Sequence, residues 1–165
     1  MLEKEPYNNI LNNYKELIVL DLRTFLSILL VYRSNFHVIH WLAKGEQFDT
    51  IHEKAADYYD MILTTCDEVA EMAMRIGERP VNYIEALKVV EDADKDYKIL
   101  STSSNYEFED FKENTDIMFK DILECIEELL ESDIVTEKQN VGIKAQLESI
   151  YNQYDLQLRY INKRR

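Results

Sequence analysis

A chain of 165 residues is one domain's worth of polypeptide, long enough to bury a core without disulfides. Hydrophobic residues make up 46% and charged residues 31%, which excludes a disordered or membrane-embedded chain; three glycines and two prolines are too few for the turns of an all-β fold. A formal net charge of -13 repels nucleic acid and attracts cations.

Residues 1–14 are mixed polar and acidic, unlike a secretory signal. The most apolar stretch, residues 18–32, carries Asp21 and Arg23 and is too short to span a bilayer, so no membrane partner is expected. Cys66 and Cys125 fall inside helical patterns, which suits a reduced, cytoplasmic protein.

Four long helical segments follow in order. The first has the stripe Leu11, Tyr14, Ile18, Leu22, Phe25, Leu29, Tyr32, Phe36 and His40, stepping by three and four, so His40 takes the next inward position of an apolar face. Lys44-Gly45 closes it with a cation at the carbonyl end and a glycine suited to the cap. The second, residues 48–77, buries Phe48, Ile51, Ala55, Tyr59, Ile62, Cys66, Val69, Ala73 and Ile76. Thr50 with Glu53 makes a capping box near its start, and Gly77 a stop. Beside that stripe runs another face: His52, Ala56, Asp60, Leu63, Asp67 and Glu71. A helix with two occupied faces packs its own bundle with one and a partner with the other.

After Pro80, residues 81–91 read as a short connecting helix, and residues 92–105 as a polar loop. Ser104 with Glu107 then opens the third long helix, striped by Phe108, Phe111, Met118, Ile122, Cys125 and Leu129; Thr136 with Gln139 opens the fourth, striped by Leu147, Ile150, Tyr154, Leu158 and Ile161. Two helical hairpins joined by a crossover with a small extra helix form an all-α four-helix bundle of ferritin-like topology, expected to span residues 1–165 as a single domain.

His40, His52, Asp67 and Glu71 are donors suited to divalent iron. On one helix, His52 and Asp67 are separated by roughly 22 Å at a rise of ~1.5 Å per residue, too far for one ion to bridge. Either these residues are unrelated or a second copy of the chain completes the site. A Glu-x-x-His motif would clasp metals within one bundle, but the residues three before His37, His40 and His52 are Ser34, His37 and Asp49. An intrasubunit site of that kind is therefore disfavoured.

The segment from His40 to Glu71 resembles the Dps family of mini-ferritins, named as DNA-binding proteins from starved cells. The matching residues are His40-Trp41, Lys44-Gly45, Phe48, His52-Glu53, Asp67-Glu68-x-Ala70-Glu71 and Gly77. The resemblance implies a ferroxidase that oxidises iron(II) with hydrogen peroxide and stores ferric mineral in a hollow homo-oligomer of twelve subunits. It implies a centre between two-fold-related copies: His40, Asp67 and Glu71 holding the tighter iron, His52 reaching a weaker second position, and Trp41 beside the centre accepting radical character. Zinc or another divalent ion suits the same donors.

One position departs from the family: the aspartate expected four residues after His52 is Ala56, which predicts a weakened second position. The alternative function is a Dps-shaped assembly protein with weakened or lost ferroxidase activity. Direct DNA binding is disfavoured, because the chain begins Met1-Leu2-Glu3-Lys4-Glu5 rather than with a lysine-rich tail, and its basic cluster is only Lys163-Arg164-Arg165. Glu124, Glu127, Glu128 and Glu131 form a solvated acidic face or line the interior of a shell.

Overall fold

Asp21 starts the first long helix, α1 (Leu22–Leu42), by accepting the Thr24 amide at 2.7 Å. The computed structural model describes residues 20–136 and 140–163. After α1 come α2 (Phe48–Arg75), α3 (Tyr83–Glu91), α4 (Phe108–Glu131), a single turn α5 (Asp133–Thr136) and α6 (Val141–Lys163). Among the described residues these six helices are the regular structure, no strand is present, and no helix is long and apolar enough to cross a membrane. The helix α1 packs along α2 and α4 along α6, while α3 lies on α1. This is the expected bundle of two hairpins with a short helix in the crossover.

The predicted apolar stripes supply the core: Leu22, Phe25, Leu29, Tyr32 and Phe36 of α1 are wholly buried, as are Ile51, Ala55, Ile62, Val69 and Ala73 of α2. Four aromatic rings, one per long helix, meet at the centre. Phe36 lies 5.4 Å from Tyr58 and 5.7 Å from Phe119, and Phe119 meets Tyr154 edge-on at 5.2 Å. The Tyr154 hydroxyl and the Thr65 hydroxyl share a buried hydrogen bond of 2.7 Å, which ties α6 to α2. Leu11, Tyr14, Ile18, the first five residues, Gln139 and Arg164-Arg165 lie outside the described residues.

Helix ends depart from expectation in three places. The second helix starts from Gln47 without a side-chain cap, so Thr50 and Glu53 lie inside it rather than forming a box. Gly45, at φ +97, reverses the chain instead, and the early residues are held by backbone bonds such as Ile51 N–H to the Gln47 carbonyl. The capping box of α4 is Glu107 with Asp110, not Ser104 with Glu107, because the chain at Tyr106 is engaged elsewhere. Tyr106 donates its amide to the Leu42 carbonyl and accepts the Lys44 amide, each at 2.9 Å, leaving no room for a helix to begin earlier. Phe48, placed on the core stripe, is 41% exposed and sits at the hairpin's outer edge. Gly77 behaves as predicted: at φ +84 it lets the Glu78 amide reach Ala73 and its own amide reach Met74, closing the carbonyl end of α2 in a Schellman motif.

The crossover is pinned by buried polar groups. Asn35 donates to the Lys98 carbonyl at 2.8 Å and accepts the Leu100 amide at 3.1 Å. Asp121 accepts the Tyr32 hydroxyl and pairs with Lys95 at 2.6 Å, and Lys95 also reaches Glu124 at 2.6 Å. Desolvation works against the Lys95 charge, but the two carboxylates win and hold its ammonium above the usual lysine range. Arg23 of α1 grips Glu85 of α3 at 2.7 Å.

Two outcomes follow. Replacing Asn35 with Ala strands a buried carbonyl and amide and costs about 2 kcal/mol in urea unfolding; an unchanged midpoint refutes the clamp. Burial pushes the Cys66 and Cys125 thiols up to about 12, so both stay protonated at pH 8. Alkylation by iodoacetamide is then slow in the folded protein and fast in urea.

Candidate metal centre

The end of α1 and the first turns of α2 bring His40 and His52 together, although twelve residues separate them. Their rings stack with centroids 3.6 Å apart and planes 21° from parallel. Each donates its Nδ1–H to the other's backbone carbonyl: His40 to the His52 carbonyl at 2.8 Å, His52 to the His40 carbonyl at 2.9 Å. A carbonyl only accepts, so both Nδ1 atoms carry the proton. In the neutral ring the lone pair is then on Nε2, and neither Nε2 is engaged among the described residues. The His40 carbonyl belongs to the last turn of α1, where backbone acceptors lack helical partners, so the bond from His52 also caps the helix. A backbone carbonyl holding Nδ1–H is the support that orients a histidine for metal through Nε2.

Three more rings border this pair: Phe48, which stacks on His52 at 5.2 Å, Tyr59 and His37. Tyr59 was placed in the core; it is half-buried and lies edge-on to His40, with ring centroids 5.5 Å apart. His37, one turn before His40, packs on Tyr59 at 3.9 Å and stacks on Trp41 at 5.2 Å, the two planes within 6° of parallel. Trp41 is 68% exposed and its ring contact is with His37 rather than with the His40–His52 pair. Burial, with help from the Arg33 guanidinium, lowers the proton affinity of His37 and favours its neutral ring. The sequence signal was present, since His37 precedes His40 by three, but nothing in it separated a packing ring from a functional one.

Asp67 and Glu71 stand further along α2, exposed and without a hydrogen bond or ion pair among the described residues. The helix runs unbroken between them and His52, so the separation of roughly 22 Å holds. Among the described residues no three histidine, cysteine, aspartate or glutamate side chains converge into a metal-holding group. The chain thus carries two groups of candidate donors on one helix face, candidate half-sites of imidazole and of carboxylate. Donors of these types fit a divalent transition metal, but among the described residues of one copy they do not close around an ion.

No family model matches the chain. Over 64 residues it is 39% identical to DNA protection during starvation protein 2 of Bacillus anthracis, covering 36% of this chain and 44% of that protein. Over 75 residues it is 37% identical to the DNA protection during starvation protein of Porphyromonas gingivalis, covering 45% and 47%. The match therefore spans less than half the length of either relative. Among solved structures it resembles the Dps protein of Vibrio cholerae O1, described as a member of a broad superfamily of ferritin-like diiron-carboxylate proteins, at TM-score 0.74. That likeness covers 86% of this chain and 84% of that one with 20% identity. The bundle has the same ferritin-like fold as that Dps structure. In sequence, the matched segment is similar to DNA protection during starvation proteins.

The two half-sites differ in what they do for the subunit. His52→Ala removes a helix-capping bond and a ring stack and costs about 1–2 kcal/mol of stability. Asp67→Asn, at a side chain unpaired among the described residues, changes the subunit's own stability by less than about 0.5 kcal/mol. Thermal unfolding in chelator measures both; equal losses contradict this division.

Proposed function

We propose that this protein is a Dps-like ferroxidase and iron store whose metal centres form between two copies of the chain. The observation that carries it is the reciprocal His40–His52 pair, two oriented imidazoles whose Nε2 atoms are uncommitted among the described residues, with His52 on the same helix face as Asp67 and Glu71, which are likewise unpartnered among those residues. If two copies of α2 pack antiparallel about Asp60, His40 and His52 of one face Asp67 and Glu71 of the partner subunit. Twelve such subunits form the hollow shell that the family resemblance implies.

In this reading iron(II) is the substrate. The anionic oxygens of Asp67 and Glu71 attract it and stabilise the more highly charged ferric product, while His40 and His52 hold it in place. Two iron(II) ions deliver two electrons to one hydrogen peroxide, and with two protons the products are two iron(III) and two waters, so no hydroxyl radical is released. The ferric product moves to an acidic interior to which exposed Glu128 and Glu131 contribute. Protection of DNA then comes from removing iron and peroxide rather than from coating the duplex, in keeping with the net charge of -13. Zinc is a competing occupant of the same donors.

Ala56 favours a second reading, a Dps-shaped assembly protein in which bound metal joins subunits and oxidation is slow or lost. Stopped-flow absorbance after anaerobic iron(II) loading and peroxide addition separates the two. The first reading expects oxidation faster than in buffer, a return to the buffer rate in Asp67→Ala/Glu71→Ala, and a gain of about tenfold in Ala56→Asp. Oxidation no faster than in buffer, with chelator dissociating the particles in light scattering, selects the second. Activity unchanged by loss of both acids overturns the intersubunit centre.

A further inference from the structure

Beside the histidine pair, α2 shows a gap. Its face reads His52, Ala56, Tyr59, so one turn past His52 the helix offers a methyl group where it could offer a ligand. The facing helix compensates in residue type. Moving one turn back along α1 from His40 brings His37, whose ring lies against Tyr59 at 3.9 Å while His40 meets the edge of the same ring at 5.5 Å. Helix side chains lean toward their own N-terminus, so the Tyr59 ring extends back over the turn that carries Ala56. His37 thus lies on the facing helix against Tyr59, the residue three past Ala56.

The hydrogen bonds distinguish His37 from its neighbours. His40 and His52 each spend Nδ1 on a backbone carbonyl. His37 makes ring contacts with Trp41 and Tyr59 and no hydrogen bond among the described residues, so both of its nitrogens are uncommitted. An imidazole held by stacking alone turns about its side-chain torsions at little cost, and one of its stacking partners, Trp41, is itself largely exposed.

We propose that His37 is a metal ligand, taking with His52 the second cation position that Ala56 leaves without a carboxylate. The inference rests on the reading that His40, Asp67 and Glu71 form a first position. An acid of the partner subunit completes the second, since three donors do not converge among the described residues of one chain. The exchange of carboxylate for imidazole has a chemical consequence. A neutral nitrogen favours borderline divalent ions such as iron(II), cobalt(II) or zinc(II) and gives less support to iron(III) than an anionic oxygen. The second position is then one that binds divalent metal and releases it when oxidised.

Anaerobic cobalt(II) titration of the assembled protein, followed by calorimetry and visible absorption, tests this without any turnover. The unaltered protein is expected to take two cobalt ions per intersubunit site. His37→Gln takes half as many and loses the absorption component of the second ion. His37→Gln/Ala56→Asp returns to two, because the restored carboxylate replaces the imidazole; a ring that only packs between Trp41 and Tyr59 cannot be rescued from the other helix. Two ions in His37→Gln, or one in the double variant, overturns the assignment of His37. Cobalt binding unchanged in His40→Ala or Asp67→Ala instead overturns the first position and the reading beneath it. No cobalt bound by the unaltered protein overturns both.

Discussion

A straight helix that cannot fold back on itself governs what this molecule can do. From Phe48 to Arg75 α2 contains neither glycine nor proline, and its core side is anchored by Ile51, Ala55, Ile62, Val69 and Ala73. Such a rod fixes the spacing of everything mounted on it. His52 lies near one end and Asp67 and Glu71 toward the other, so no local rearrangement brings them together. Under the proposed function the same stiffness becomes useful, since a second rod lying alongside in the opposite direction would give each end its complement at a distance set by helical rise. A flexible segment with these residues would instead wrap around an ion alone.

The rest of the bundle keeps α1 in register with that rod. The four-ring aromatic centre sets the distance between the hairpins, and Asn35 and Asp121 hold the crossover against the bundle. At the hairpin end, Tyr106 takes the Leu42 carbonyl and supplies an acceptor to Lys44, so the strand of chain entering α4 braces the turn beside the histidines. His40 is therefore placed by contacts from three separate stretches of sequence. The two imidazoles supply the final lock themselves, each holding the other's backbone.

Much of this was legible in the sequence because helical burial is periodic. The stripes through Phe25, Phe36, Ile62, Cys66, Ile122 and Tyr154 named core residues that are buried, and the candidate donors His40, His52, Asp67 and Glu71 stood out by type and spacing. What stayed hidden involves partners distant in the chain. The start of α2 at Gln47 and the cap at Glu107 depend on the backbone bridge to Tyr106, which no local pattern signals. The exposure of Phe48 reflects its place at the hairpin edge, where periodicity continues but its ring stacks on His52 at 5.2 Å instead of entering the core. The clamp at Asn35 and the mutual bonds of His40 and His52 join polar atoms whose pairing only the folded hairpin decides.

Trp41 is the sole tryptophan of the chain, and it stands 68% exposed at the border of the face that carries the candidate centre. The protein therefore contains its own optical probe. An indole surrounded by water emits at long wavelength; the same indole covered by a neighbouring surface shifts toward the blue, and a paramagnetic ion nearby quenches it. The subunit association and metal binding proposed above would thus leave separate marks on one emission band, without any label being attached.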